Sequence, residues 1–312
     1  MANVAQGTVW NLPNYVGELF TADQVNSPFL SMVGGLTGGM MTENFEFPTD
    51  SQYSQETAAQ PAITETASLT APTALSYVRN QNKNVVQIFQ EKVSLTYVRM
   101  SNQGRLSGIN TAGQNNNVPD ELQFNKAKAL EKIARDVDYT FINGAYQIAT
   151  NAGVANKTRG IIAASSVNTL AASTAYLSKT LVDSILLTMY GNGALFKNIV
   201  LWCNGFQKQR ISNIYGYAPQ DRNVGGIAIK QIETDFGNIG IMLDRFMPTT
   251  TIAFVDMAVV SPVFQPVPGK GNLFYETLAK TGAAEEGQIF GQIGLDHGPA
   301  FCHGTITGLK DS

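Results

Sequence analysis

Charge is what this chain has least of. Asp, Glu, Lys and Arg make up 14% of its residues, against about a quarter in an ordinary soluble protein. The 24 acidic and 21 basic side chains leave a net charge of −3, and the basic ones are scattered, with no run of five anywhere. That excludes an electrostatic footprint for a direct reader of nucleic acid. Long apolar runs are missing too: no stretch reaches the roughly 18 residues that a membrane span needs. Residues 1–8 lack the basic-then-apolar order of a secretory signal. Cysteine is almost absent. Cys203 and Cys302 stand far apart, and without a signal peptide they are expected to be buried thiols rather than a disulfide. The chain reads as cytoplasmically made and soluble.

What is present is apolar and neutral-polar. Hydrophobic residues are 44% of the 312, an ordinary share, and the length suits one large domain or two modest ones. With so few charges, the surface must consist largely of Asn, Gln, Thr, Ser and Gly. Such a surface suits burial against copies of itself. It also suits a β-rich secreted protein with a neutral exterior.

Along the chain the character changes in blocks. Residues 1–42 hold many apolar side chains (Trp10, Leu12, Tyr15, Val16, Leu19, Phe20, Phe29, Leu30, Met32) without sustained period, and Gly34-Gly35 and Gly38-Gly39 break any long helix. This is an arm in need of a surface. Residues 43–104 are β-flavoured. Asn44 to Phe47 alternates before Pro48, Asp50 to Thr73 is small and polar, and Ser76 to Met100 returns as strand. There Phe89, Val93, Leu95 and Tyr97 share one face, with Val86 and Ile88 on the other. The pattern predicts a long projecting hairpin with legs of about 15 residues, roughly 50 Å at about 3.3 Å per residue. A ribbon of two strands is marginal alone, so it too is expected to need a partner.

The clearest element is a helix over residues 119–144. Pro119 suits a first helical position, and Asp120 and Glu121 suit the positive end of the dipole. Leu130, Ile133, Val137 and Phe141 form its apolar stripe with Ala127 and Ala134, and Gly144 its stop. Thr180 to Tyr190 and Gly205 to Tyr215 read as further helices, and Ile199 to Cys203 as a buried strand. Later β-type runs cover Ile227 to Ile232, Ile239 to Leu243, Thr251 to Val255, Val259 to Val263, Gly287 to Leu295 and Ala300 to Leu309. Strands and helices are partly segregated, which gives an α+β fold class.

Chemistry is hard to find. His297 and His303 flank Cys302, but no second pair supplies zinc-ligand spacing. Gly269-Lys270-Gly271 lacks the rest of a phosphate-binding loop and reads as a turn. Glu233, Asp235, Asp244 and Asp256 cluster in sequence and could in principle supply paired carboxylates for glycoside hydrolysis. With two Trp in the chain, and with the acids not surrounded by aromatics in sequence as a sugar platform favours, they read instead as solvated or salt-bridged turn residues. No catalytic, cofactor-binding or metal site is expected, and an enzyme is not.

Several stretches resemble a known family. Gly17-Glu18-Leu19-Phe20 with Pro28-Phe29-Leu30, Ala59-Gln60-Pro61-Ala62-Ile63 and Asn102-Gln103-Gly104 are similar to members of one subfamily of tailed-bacteriophage major capsid proteins, those with the Hong Kong 97-like fold. So are Leu278-Ala279-Lys280-Thr281-Gly282, Gly287-Gln288-Ile289 and His303-Gly304-Thr305-Ile306, the most specific part. The resemblance implies an N-terminal arm (1–42), an extended β-hairpin loop or E-loop (43–104), a peripheral domain (105–165 and 271–312) carrying the spine helix 119–144, and an axial domain (166–270). It implies hexamers and pentamers in an icosahedral phage head around double-stranded DNA that is contacted weakly and non-specifically. A portal and decoration proteins are further implied partners, with assembly in the bacterial cytoplasm and a precursor that expands on maturation. About 40 residues precede the E-loop, which implies a separate scaffolding protein or an already mature form. Some relatives cross-link Lys to Asn between subunits. Lys83 and Lys92 lie in or near the loop, but no motif marks either. An encapsulin-like nanocompartment on the same fold is the nearest other reading, and a β-rich carbohydrate-active enzyme or lectin is one from another class.

Overall fold

The computed structural model describes residues 26–101, 120–215, 221–224, 227–280 and 282–311. Its strands form two main sheets and one separate ribbon. The first sheet is built on the long strand Ala284–Asp296. Gln87–Thr96 runs antiparallel along one edge of it, from Thr96 opposite Ala284 to Gln87 opposite Ile293. Along the other edge Leu273–Thr277 pairs first, and Ser261–Phe264 continues where it stops. Met40–Met41 adds a short parallel strand outside Ser261–Phe264.

The second sheet is mixed, in the order Thr169–Ala171, Gly304–Thr307, Ile252–Asp256, Ile199–Cys203, Gly237–Leu243, Ile227–Thr234 and Asp221–Val224. Its two central strands, Ile199–Cys203 and Ile252–Asp256, are buried at every position, as unbroken apolar runs predict for a strand covered on both faces. The alternation of a strand then sorts one run into two cores. Val200, Trp202, Ala253 and Val255 point into the core beneath the long helix. Ile199, Leu201, Cys203, Ile252 and Phe254 point into a second core, shared with Val182, Ile185, Leu186 and Met189 of the helix Lys179–Gly191.

The long helix runs Glu121–Asn143, capped by Asp120, whose carboxylate accepts the N–H groups of Leu122 and Gln123 at 2.9 and 3.2 Å. Pro119 lies outside the described residues. Ile133, Val137 and Phe141 are buried as expected, but Leu130 is 41% exposed and Ala129 takes its place. At about 100° per residue, Ala129 lies roughly 40° from Ile133 and Leu130 roughly 60° to the other side. The smaller offset goes to the core, where the short Ala side chain fits. Gly144 does follow the helix, with φ −58° rather than a left-handed cap. Its role is close approach: a Cβ there would sit 2.5 Å from the carbonyl oxygens of both Thr140 and Thr158.

Other expectations need correction. Ser76 to Met100 is not one strand. Arg79–Val85 and Gln87–Thr96 belong to different sheets, and Tyr97–Ser101 is a helical turn. The chain leaves the ribbon at Val86 and pairs with the long strand, where Phe89 and Val93 enter the core beneath the long helix. Tyr97 is accordingly exposed. The arm contains a helix, Pro28–Met32, with Phe29 and Leu30 buried. Residues 300–302 form a single 3-10 turn and only Gly304–Thr307 is strand. Leu273–Thr277 was not expected at all.

Candidate assembly surface

The ribbon pairs Glu46–Tyr53 with Arg79–Val85, from Glu46 opposite Val85 to Tyr53 opposite Arg79. The expected break at Pro48 is a register shift between Pro48 and Asp50, which lets a residue without an N–H pass through the ladder. The legs are 8 and 7 residues, about 25 Å at roughly 3.3 Å per residue, half the expected reach. Between them the chain forms a helical turn Glu65–Ser68 that Thr64 caps, and the Tyr53 and Tyr77 rings meet edge to face with centroids 6.4 Å apart. Every residue from Tyr53 to Lys83 is exposed. Among them are Tyr53, Ile63, Leu69, Leu75, Tyr77 and Val78, with Leu69 at 85% and Ile63 at 71%. Six large apolar side chains exposed along one segment are surface of the kind that partners cover. Lys83 and Lys92 are each engaged by a carboxylate of the same chain, Glu46 at 3.1 Å and Glu286 at 2.8 Å.

The base of the ribbon is as tightly held as its tip is free. Asn84 is fully buried. Its amide donates to the carbonyls of Leu295 at 2.7 Å and Arg159 at 3.1 Å, and its oxygen accepts the N–H groups of Arg159 at 2.8 Å and Val85 at 2.9 Å. Thr158 continues the seam by accepting the N–H of Leu295 at 3.1 Å. Gly294 allows the ribbon to cross here, since a Cβ on it would strike the Phe47 ring at 2.8 Å. One side chain thus fastens the ribbon to the long strand and to the loop before the helix Ile161–Ala164.

Among the described residues no group of three or more His, Cys, Asp or Glu could hold a metal ion. His303 is buried with both ring nitrogens engaged: Nδ1 accepts the N–H of Asp256 at 3.2 Å, so Nε2–H donates to the carbonyl of His297 at 2.5 Å. His297 in turn donates from Nδ1 to the carbonyl of Gly298 at 2.7 Å. Cys302 and Cys203 are buried and free, and burial pushes the Cys203 thiol up to about 12. Lys270 sits in a turn, paired with Glu276 at 2.6 Å. Glu233 and Asp235 are exposed at the Thr234–Gly237 turn. The pairings of Cys203 with Leu243 and of Asp256 with Ile199 put Asp244 and Asp256 at opposite ends of the sheet. Five residues of strand separate them by roughly 16 Å, too far for the 5–9.5 Å or so of a glycosidase pair. Asp256 accepts three backbone N–H groups, from Lys197, Asn198 and Ala258, each at 3.1 Å.

Burial holds His303 down to about 4, against an ordinary 6.5. The folded state therefore refuses a proton that the unfolded chain takes up. Stability from this group is fully present above about pH 6.5 and is lost as pH falls through about 4, a total of about 3 kcal/mol. Buried Asp138 and Asp296, both shifted upward, act in the opposite direction over part of that range, so the comparison must be with a variant. In urea unfolding at pH 6.5 and pH 4, the His303→Gln protein is expected to lack about 3 kcal/mol of the wild-type acid loss. Equal losses in the two proteins would show that His303 does not titrate this way.

Sequence reasoning missed Asn84, which lies in a polar run, Arg79 to Asn84, with no periodicity to mark it. It also missed Asp138, although a carboxylate beside Val137 and Phe141 on a buried helix stripe was a visible signal.

The model of one family, the SU10 major capsid protein, matches residues 2–310. The chain belongs to that family. It is a structural capsid subunit and not an enzyme, and its place is the capsid shell of the virion. The capsid protein matches no curated protein. Among solved structures it is similar to the capsid asymmetric unit of cyanophage A-1(L), with a TM-score of 0.63 at 9% identity over 95% of this chain and 96% of that one. It is also similar to the capsid of a native GTA particle, TM-score 0.60 at 11% identity over 98% of each chain. The encapsulin complex of Synechococcus elongatus PCC 7942 has a TM-score of 0.57 at 11% identity, over 95% and 94%. At such identities the likeness is one of fold, and the fold of the capsid protein is the Hong Kong 97-like one expected above. Because phage shells and encapsulins share it, the fold does not choose between them. The family match does.

Proposed function

We propose that the capsid protein assembles as hexamers and pentamers into an icosahedral phage head around double-stranded DNA. Residues 1–42 act as the N-terminal arm, 43–104 as the E-loop, 105–165 with 271–312 as the peripheral domain, and 166–270 as the axial domain. The observation that carries this reading is the unbroken exposure of Tyr53 to Lys83 with six large apolar side chains in it. Burying such side chains is worth roughly 1.5–3 kcal/mol each, and among the described residues of one chain they remain exposed. In a closed symmetric shell the same contact recurs for every subunit, so modest contacts sum to a stable particle. The net charge of −3 suits a wall along which DNA slides, contacted weakly and without sequence preference. A separate scaffolding protein, a portal and decoration proteins complete the assembly, which proceeds in the cytoplasm of the bacterial host.

Negative-stain electron microscopy with light scattering on the purified full chain tests the reading. Closed shells or capsomer-sized rings are expected. A stable monomer in which the segment 53–83 also resists protease would overturn it, because the hairpin would then already have its partner.

A further inference from the structure

The seven-stranded sheet has two ends of opposite charge. At the end reached by Cys203, Leu243 and Thr307, the guanidinium of Arg210 lies over the ring of Tyr176, 4.0 Å from its centroid, and over Phe206 at 5.3 Å. The ammonium of Lys310 lies over the same Tyr176 ring at 4.7 Å. Two cations thus gather on one exposed ring, and among the described residues neither is in an ion pair. Like charges so close repel, and an anion beside them relieves the repulsion. Asp311, next to Lys310, accepts the hydroxyl of Thr249 at 3.1 Å. The site is built on the fold: the amide of Gln207, on the helix Gly205–Tyr215, donates to the carbonyl of Lys310 at 3.0 Å, and the N–H of Lys310 donates to the carbonyl of Ala175 at 3.0 Å.

At the other end, where Ile199 pairs with Asp256, the turn from Ile227–Thr234 into Gly237–Leu243 carries Glu233 and Asp235. Both are exposed, and among the described residues neither is in an ion pair. The hydroxyl of Thr234 closes the turn on the carbonyl of Gly237 at 2.7 Å. Phe236 mounts it, stacked on Phe196 with centroids 5.5 Å apart and meeting Tyr190 at 5.8 Å. The helix Lys179–Gly191 starts beside Tyr176 and ends beside Tyr190, so its dipole adds to the charge at both ends. At about 1.5 Å per residue it spans about 20 Å, too far for the acids and cations of one subunit to meet. Backbone strain marks the same two places. The described non-glycine residues with positive φ are Ser173, Thr174 and Phe196, at 49°, 62° and 48°. The first two lead into Tyr176 and the third lies under Phe236, and conformations of this cost gather where a surface is used.

We propose that Glu233 and Asp235 of one subunit dock on Arg210 and Lys310 of the next copy of this chain. The contact rests on the reading of the protein as a capsomer-forming subunit and gives that reading its direction. A patch that meets a different patch on its neighbour makes a head-to-tail contact, and such contacts close into rings. Aromatic residues and Arg are what interfaces are rich in, and the contact brings Tyr176 and Phe206 to one side and Tyr190 and Phe236 to the other. The occupant is a second copy because the acidic half of the pairing is on the chain itself, at the opposite end of the same sheet. With 14% of residues charged, two complementary sets that the fold leaves apart are scarce.

Charge reversal on the full chain at low salt tests this, with light scattering and negative-stain microscopy reading the onset and form of assembly. Glu233→Lys with Asp235→Lys puts cations at both ends, and Arg210→Glu with Lys310→Glu puts acids at both. Each pair is expected to raise the onset concentration at least about tenfold, since like charges across a contact repel. The chain with all four substitutions regains opposite charges and should assemble within about threefold of wild type. An equal mixture of the two reversed proteins should form hexamers, where the two kinds alternate, but few closed shells, because a pentamer cannot alternate. Urea midpoints of the purified subunits check folding. If Arg210→Glu unfolds the chain through its packing on Phe206, Lys310→Glu alone takes its place. Reversed proteins with the wild-type onset, or a fourfold variant no better than its parents, would overturn the contact and leave the assembly reading standing. An effect of the Arg210 and Lys310 reversal alone, unrelieved from the acidic side, would also overturn it and assign those cations to DNA. A wild type that forms neither rings nor shells would overturn the assembly reading and the contact with it.

Discussion

Replacing residues 54–78 with an Asn-Gly turn yields a subunit that folds as the full chain does and builds no shells. The excision suits the backbone, because Tyr53 and Arg79 are directly paired and a two-residue Asn-Gly loop is a favoured closure of such a hairpin. It costs the isolated subunit little: every deleted residue is exposed, and the buried anchors of the ribbon, Phe47, Asn84 and Val85, all remain. Unfolding in urea should stay within about 1 kcal/mol of the full chain, in the range of surface changes. For assembly the loss is large. Five of the six apolar side chains go with the segment, Ile63, Leu69, Leu75, Tyr77 and Val78, worth roughly 1.5–3 kcal/mol each on burial before the cost of ordering them. If half of that is realised, the concentration at which shells first appear rises by at least about five-hundredfold, at about 1.4 kcal/mol per tenfold. Light scattering against concentration measures this. Shells forming at the same onset as in the full chain would mean that the exposed hairpin has no part in the contact between subunits.

The Asn84→Ala protein is expected to lose about 3–6 kcal/mol of stability, a large share of the 5–15 kcal/mol or so that a domain possesses. The substitution removes a side chain that satisfies four backbone groups and leaves three of them without it, the buried carbonyl of Leu295 and the part-buried N–H and carbonyl of Arg159. Each such group costs about 1–3 kcal/mol. The cause is isolated by Asn84→Asp, which keeps the shape of the side chain but faces two carbonyl oxygens with no donor, and is expected to be at least as damaging. Urea unfolding of the two variants beside the wild type checks both statements. An Asn84→Asp protein within about 1 kcal/mol of wild type would show that shape rather than the amide hydrogens holds the ribbon. The result bears on assembly as well, since a ribbon loosened at Asn84 no longer presents its tip in a fixed direction.

How far these features could be read in advance depended on whether local pattern or distant contact controlled them. The long helix was legible because Ile133, Val137 and Phe141 recur with the helical period and Asp120 and Glu121 bring negative charge to its start, although Asp120 is the cap rather than part of the first turn, and the strand Ile199–Cys203 because five apolar residues stand between polar ones. The hairpin was legible as a hairpin, with two β-type runs around a stretch that buries nothing. Its leg length was not. The run Ser76 to Met100 looks continuous, and only the partner strands divide it at Val86. The arm helix was hidden for a similar reason: with five residues it is too short to be stable alone, and it exists because Phe29 fits between Phe141 and Trp202 and because Asp138 receives the N–H of Leu30.

By itself the sequence determined the kind of protein this is: an α+β chain poor in charge, with apolar segments that it cannot bury alone, and with short stretches that resemble a capsid family over most of its length. These are properties of composition and local period, which any segment carries regardless of its neighbours. The tertiary structure alone decided where the chain is fastened. Asn84, Asp138 and His303 are ordinary polar residues until a backbone group brought from 75, 108 or 47 positions away stands within hydrogen-bond distance. A buried polar group acquires its energy from the partner it meets there.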